Sequence, residues 1–299
     1  MNWELFTNKG LSLERMKNFC HVAEVESFTQ AAGGDPNKQT LYSRQIKELE
    51  QFFGAELFHR KGRTVTLSEQ GKELHLLISE YFAVLEDFHE RCSGELGSYT
   101  IGSGESVIQW WLIPMLDQIK NAFAKADVIF KNLRTRDIIE GIKKGEIDFG
   151  IIRKSSINPD LEHIPVGKLQ FACFYPSNAQ VKPKDEASLL SHFPLAAMEG
   201  SGRYQDFLAE LPTKHGVIVR KSVSCSSFPM MAKTLTSIPV AAILPTIARN
   251  ELDADAYEMV QFESLKPLEQ ELCICWNKRM ASMNPELARL GQALATIMK

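Results

Sequence analysis

The chain has 299 residues, with 34 Lys and Arg against 37 Asp and Glu, a net charge of −3 and 44% hydrophobic residues. That balance excludes a disordered polyelectrolyte and a uniformly basic chain, so any attraction to phosphate must come from a local patch. The length accommodates two or more domains, and no apolar run reaches the roughly 20 residues a spanning helix needs.

Residues 1–10 read as a loose extension without the basic-then-apolar pattern of a secretory signal, so a cytoplasmic location is expected. Ser12 caps a first helix whose Leu13, Met16, Phe19, Cys20 and Ala23 form one buried stripe. Ser27-Phe28-Thr29-Gln30 matches a capping box that starts a short helix through Ala31-Ala32, and Gly33-Gly34-Asp35-Pro36 stops it. A longer helix is expected from near Lys38 to Phe53, ended by Gly54. Tyr42, Ile46, Leu49 and Phe53 line its apolar side, while Thr40, Ser43, Arg44 and Lys47 line the other, with Gln39 at its flank. Short amides and hydroxyls suit base edges in a major groove, and the cations suit phosphates. Leu57–Arg60 and Thr64–Leu67 read as strands of a hairpin around Lys61-Gly62-Arg63, a cationic tip suited to a phosphate backbone. Together these elements read as a winged helix-turn-helix.

Ser68 opens a long helix reaching about Cys92. Its Leu74, Ile78, Tyr81, Leu85, Phe88 and Cys92 alternate at spacings of four and three, the seam of a helix that pairs with its twin. Such pairing sets the separation of two recognition helices. Residues 93–97 (SGELG) read as a hinge.

The segment LSLERMKNFCHVAEVESFTQAA, followed by QTLYSRQIKELEQFFGAELFHRKGRTVTLSEQG, resembles the DNA-binding domain of LysR-type transcriptional regulators. The resemblance implies base contacts at Gln39, Thr40, Ser43 and Arg44, with Lys38 and Lys47 beside them, and phosphate contacts from Arg60, Lys61 and Arg63. It implies that the long helix is the linker and dimerisation helix. Between Ala32 and Gln39 the sequence departs from the family: two core-facing positions are Asp35 and Asn37, a usual proline is Thr40, and Tyr42 stands where a smaller aliphatic residue is common. The Tyr42 ring is expected to fill the vacated space.

From Tyr99 the rhythm changes. Strands are expected at Tyr99–Gly102, Val128–Leu133 and Ile147–Ile152, with helices at Val107–Ala124 and Asp137–Lys144, a βαβαβ order implying a parallel sheet. Further strands are expected at Leu169–Tyr175, Leu195–Met198, Val217–Val223, Val240–Leu244, Met259–Phe262 and Glu271–Trp276. Helices are expected near Asp185–Leu190, Arg203–Leu211 and Phe228–Leu235, with a last one from Pro285. TIGSGESVIQWWLIPML, LRTRDIIEGIKKGEIDFGII and IPVAAILP resemble the effector domain of the same family, itself similar to type II periplasmic binding proteins. The expected architecture is therefore α/β overall. A DNA-binding domain spans 11–67, a linker helix 68–93 and an effector domain 97–299. The effector domain divides into 97–168 with 260–299, and 169–259, joined by two crossing strands with a cleft between them.

Ligands of open parallel sheets sit at strand carboxyl ends, beside helix N-termini with free N–H groups. Three such places are Ser103-Gly104-Glu105-Ser106, Arg134-Thr135 and Glu199-Gly200-Ser201-Gly202-Arg203. Ser103, Ser106, Thr135 and Ser201 are the effector contacts the resemblance implies, and Arg203 suits a carboxylate. Gly104 and Glu105 belong to the same loop, and Glu105 with Arg203 would suit an effector bearing both charges. Trp110 is a candidate wall of the cleft, with core packing the competing reading.

Enzymatic motifs are not supported. Gly102-Ser103-Gly104 lacks the third glycine and the acidic partner of a dinucleotide fingerprint, and Asp148-Phe149-Gly150 lies in a strand without a catalytic loop. His163, His192 and His215 read as loop or surface residues. Cys20, Cys92, Cys173, Cys225, Cys273 and Cys275 contain no Cys-x-x-Cys pair, so neither metal nor disulfide is expected. No cofactor is expected. Cys225, between a strand and a helix start, is the one thiol placed for a lowered pKa. The primary expectation is a regulator that binds double-stranded DNA as a homodimer or homotetramer, answers a small-molecule effector and has no membrane partner. The alternatives are a redox-responsive regulator working through Cys225 and a solute-binding protein without a regulatory role.

Overall fold

The computed structural model describes residues 10–61, 64–93, 97–123, 126–179 and 182–299. The chain forms two compact units, Met1–Glu95 with Lys143–Glu146, and Leu96–Ile142 with Ile147–Lys299.

In the first unit α1 (Leu13–Val25), α2 (Phe28–Ala31) and α3 (Pro36–Phe53) precede a hairpin of β1 (Phe58–Lys61) and β2 (Thr64–Leu67), then α4 (Glu69–Ser93). The expected caps form. Ser12 Oγ accepts from Arg15 N, Ser27 Oγ accepts from Gln30 N, and Gly54 closes α3 in the left-handed conformation. Phe19, Val22, Ile46, Leu49, Leu57 and Val65 make the core. Leu13, at 54% exposed, and Phe53, at 42%, leave the expected stripes, since each is the terminal residue of its helix. The β1–β2 register pairs Phe58 with Leu67 and Lys61 with Thr64.

Ser68 joins wing to helix: its hydroxyl donates to the Glu56 carbonyl at 2.6 Å and accepts from Gly71 N at 2.9 Å. A Cβ on Gly71 would lie 2.1 Å from the Leu57 carbonyl oxygen, so only glycine lets α4 approach the wing this closely. The long apolar seam divides along α4. Ile78 is buried and Leu74 packs against the core of this unit, whereas Tyr81, Leu85 and Phe88 are exposed.

The second unit contains two five-stranded sheets. The first is ordered β4-β3-β5-β12-β6, from β3 (Ser98–Ser103), β4 (Asp127–Asn132), β5 (Phe149–Arg153), β6 (Leu161–Leu169) and β12 (Gln270–Asn277). The second is ordered β11-β7-β10-β8-β9, from β7 (Phe171–Pro176), β8 (Leu195–Met198), β9 (Lys221–Cys225), β10 (Ala241–Pro245) and β11 (Tyr257–Val260). The parallel pairing expected from the βαβαβ run holds for β3, β4 and β5, but each sheet as a whole is mixed. β3 runs parallel to β4 and β5, but β12 runs antiparallel to β5 and β6, and β7 runs antiparallel to β10 and β11. β6 was not anticipated. Its Pro165 and Gly167 weaken the strand signature, and it survives because it is an edge strand with a register shift opposite.

The expected helix Val107–Ala124 is broken. It comprises α5 (Glu105–Val107), a π turn (Ile108–Leu112), a 3₁₀ turn (Ile113–Met115) and α6 (Leu116–Ala122). Pro114 lacks the N–H needed to continue a regular helix. The remaining helices are α7 (Thr135–Lys144), α8 (Glu186–His192), α9 (Arg203–His215), α10 (Phe228–Ser237), α11 (Lys278–Met283) and α12 (Pro285–Ile297). Asp148 is structural: its Oδ2 accepts from Thr100 N at 2.7 Å. Among the described residues no helix is long and apolar enough to cross a membrane.

Candidate nucleic-acid interface and ligand site

α3 starts two residues earlier than expected, because Asp35 caps it. Asp35 Oδ1 accepts from Asn37 N at 2.8 Å and Lys38 N at 3.4 Å, with Pro36 in the first turn. Asp35 and Asn37 are therefore not failed core positions. They end the turn and begin the helix, and Asn37 is exposed. Tyr42 is half-buried and meets His21 edge-on, with ring centroids 6.4 Å apart.

At 3.6 residues per turn, Gln39, Ser43, Lys47, Thr40 and Arg44 span about 140° of arc around α3. Gln39, Thr40, Arg44 and Lys47 are exposed, and Ser43 is half-buried. Lys38 is exposed in the first turn but falls on the side of Tyr42 and Leu49, away from that arc. Thr40 Oγ1 donates to the Pro36 carbonyl at 2.9 Å, so its proton is engaged while its oxygen keeps the capacity to accept. Arg44, 69% exposed, lies 3.8 Å from Glu48, whose other oxygen holds Arg15 at 2.5 Å. Gln45 turns inward and accepts from Asn18 Nδ2 at 2.6 Å. Arg63 and the side chains of Arg60 and Lys61 lie outside the described residues.

In the second unit the β3 and β4 ends converge, with Leu133 N donating to the Ser103 carbonyl at 3.0 Å. This brings the Ser103–Ser106 loop beside Thr135, the first residue of α7. Ser103 is fully buried and its hydroxyl donates to the Ile151 carbonyl at 3.1 Å. Gly104 is exposed, while Glu105, Ser106 and Thr135 are half-buried. Ser201 and Arg203 are exposed at the start of α9, where Gln205 Nε2 donates to the Glu199 carbonyl at 2.8 Å and shapes the loop. The segment that packs against α5 is instead α10, capped by Ser227. Sequence reasoning missed Ser227, although Ser-x-Pro before an apolar run is a readable cap signal. A hollow of about 470 Å³ lies elsewhere, at the C-terminal end of α10, lined by Pro176, Asn178, Leu235, Ile238 and Tyr257.

Trp110 is a core residue, buried to 2% exposure. His215 is not a surface residue. Its Nε2 lies 3.0 Å from Glu186 Oε2, which also accepts from Ser264 Oγ. The carboxylate stands between serine and histidine, an order that does not activate the hydroxyl. Cys225 ends β9 and is buried, and its thiol pKa is raised by burial and by Glu199. The expected lowering fails because desolvation outweighs any helix-end field. Among the described residues there is no group of side chains arranged to hold a metal ion.

Two family patterns match this chain: "Bacterial regulatory helix-turn-helix protein, lysR family" over residues 13–72, and "LysR substrate binding domain" over residues 93–297. The chain belongs to the LysR family of transcriptional regulators. It is a DNA-binding regulator with an effector-binding domain, in a family that is not enzymatic. The HTH-type transcriptional regulator PecT of Dickeya dadantii is 26% identical over 186 residues, 60% of this chain and 57% of that protein. The match thus spans a little over half of PecT. YfeR of Shigella flexneri, an uncharacterized HTH-type regulator, is 25% identical over 256 residues, 79% of each chain. The full-length regulator LysG of Corynebacterium glutamicum, with bound effector Arg, has the same fold: TM-score 0.66 at 15% identity, covering 96% of this chain and 98% of that one.

Proposed function

We propose that this regulator binds DNA as a homodimer, or as a tetramer of two dimers, in the cytoplasm. Residues 11–67 bind the DNA, 68–93 pair the chains, and 97–299 hold a small molecule that alters the binding. α3 enters the major groove with Gln39, Thr40, Ser43 and Arg44 toward base edges. Lys38, Lys47 and the wing residues Arg60, Lys61 and Arg63 serve the phosphates. The observation that carries this reading is the exposed arc of α3, polar and basic, opposite a face buried on Ile46 and Leu49. Pairing is supported by the exposed apolar stripe of Tyr81, Leu85 and Phe88 on a helix of 25 residues.

The small molecule sits between the β3 and β4 ends and the start of α9, touching Gly104, Glu105, Ser106, Thr135, Ser201 and Arg203. Ser103 serves by holding the loop in place, since it is fully buried with its hydroxyl engaged with Ile151 and its carbonyl with Leu133. Glu105 and Arg203 would favour a ligand carrying both charges. Arginine is the effector of LysG, on the same fold, which supports a ligand of that size without naming this one. The redox alternative loses its basis because Cys225 is buried with a raised pKa.

Selection of binding sites from random duplex DNA tests the reading. A partly palindromic site should be enriched. Arg44→Ala should lose about 1–3 kcal/mol on that site and little on other DNA. Lys61→Ala should weaken all sequences alike and lower the salt slope by about one. Unchanged affinity of Arg44→Ala for the selected site would overturn the groove assignment.

A further inference from the structure

The π turn Ile108–Leu112 directly follows the Ser103–Ser106 loop and α5. Single π turns inside helices recur at functional places, because the extra residue re-aims its neighbours. Here they aim at one carboxylate. Trp110 Nε1 donates to Glu251 Oε2 at 2.5 Å, and Gln109 Nε2 donates to the same oxygen at 2.9 Å. Lys233 Nζ reaches Oε1 at 2.5 Å. Asn250 Nδ2 completes the set by donating to the Trp110 carbonyl at 2.9 Å.

These groups come from both sheets. Gln109 and Trp110 lie in the crossover of the first, between β3 and β4. Glu251 follows the 3₁₀ turn Thr246–Asn250 after β10 of the second, and Lys233 is on α10. Glu251 is only 17% exposed at its side chain, so its bonds act in a medium less screened than water. Burial raises the carboxyl pKa, but the hydrogen bonds from Lys233, Trp110 and Gln109 together hold it below the usual range. The contact is polar and directional, and Lys233 reaches it from an exposed position, so water can replace these bonds when the turn moves. The Trp110 ring itself is held in the apolar core, so the bonds to Glu251 set where the turn sits against the second sheet.

We infer that Glu251 is a latch between the two sheets, holding the Gln109–Trp110 turn against α10 and the Thr246–Asn250 turn. It thereby ties the position of the Ser103–Ser106 loop to the spacing of the sheets. Its regulatory consequence rests on the proposed ligand site: a molecule bound at that loop biases the latch, and the latch passes the bias to the second sheet.

The test uses the full chain without ligand and the variants Glu251→Gln, Trp110→Phe and their combination. Amide exchange in peptides covering 105–115 and 246–252 should quicken about tenfold or more in either single variant, while the strand peptides of β5 and β10 keep their protection. The double variant should exceed Glu251→Gln by less than a further tenfold, since the Trp110–Glu251 bond is common to both variants while Glu251→Gln also disturbs the Gln109 and Lys233 bonds. A merely local hydrogen bond would predict the same quickening, so a second readout is needed. Spin labels at Lys131→Cys and Ile218→Cys, in a Cys92→Ser background diluted with unlabelled chains, report the distance between the sheets. A second, longer distance should appear in Glu251→Gln and in Trp110→Phe. A distance distribution identical to the parent in both variants would overturn the latch, as would unchanged exchange at 105–115 or fully additive effects. All arms are read without ligand, so such a failure leaves the proposed ligand site standing. Conversely, a Ser106→Ala or Thr135→Ala chain that still responds to a ligand sinks that site and not the latch.

Discussion

Asp35 offers the sharpest local test, because its carboxylate caps α3, the proposed recognition helix. Asp35→Ala leaves the Asn37 and Lys38 amides, now held at 2.8 and 3.4 Å, without a side-chain acceptor. Losing a cap of this kind costs about 1 kcal/mol, and exposure of the first turn keeps it from costing much more, since water replaces the lost acceptor. Asp35→Asn retains a side-chain oxygen and should cost a few tenths of that. The amides of Phe19, Ile46 and Leu49 sit in the core helices of this unit and exchange only when it opens. A cost of 1 kcal/mol corresponds to about fivefold faster exchange at those amides in Asp35→Ala, and less than twofold in Asp35→Asn. Lys38, Gln39 and Thr40 lie in the capped turn, so the alanine variant should also lose affinity for the selected DNA site, and the asparagine variant should not. Equal exchange in the two variants would mean that charge, not the hydrogen bond, matters, and no change in Asp35→Ala would mean the cap contributes nothing. Either result refutes the reasoning.

Gly71→Ala should destabilise the first unit by about 3 kcal/mol, the upper end of overpacking, because its Cβ meets a backbone carbonyl oxygen at 2.1 Å. A parent-like urea midpoint for the loss of helix in that unit would contradict it. Thiol labelling of a Cys92→Ser chain should modify the remaining five cysteines only after denaturation, since those five are buried. Fast labelling of Cys225 would reopen the redox reading. The folded pKa of Glu251 is depressed below 4.5, so its contribution is complete above that value and lost as pH falls through the lower folded pKa. Fluorescence of Trp110, isolated by comparison with Trp110→Phe, should stay constant from about pH 7 to about pH 5 and change only below about 4.5. A transition centred above about pH 5 would place another group in control.

What the sequence determined on its own is what local interactions decide. Ser12, Ser27 and Gly54 bond to amides or carbonyls within a few residues, so the starts of α1 and α2 and the end of α3 were legible. The ordered LysR-like motifs made the family legible over nearly the whole chain. Asp35 was readable as a cap and was misread, because comparison with the family pattern suggested a lost core residue. Tertiary structure decided the rest. The return of β12 between β5 and β6 makes the first sheet mixed, and that pairing joins residues more than 100 positions apart. Ser103 looked like a free hydroxyl at a strand end, yet it is consumed by Ile151, 48 residues away. Trp110 and Glu251 carry no local sign of each other across 141 residues. A side chain's backbone preference is written in its neighbours. Its burial, its hydrogen-bond partner and its pKa depend on which distant segment the folded chain places beside it.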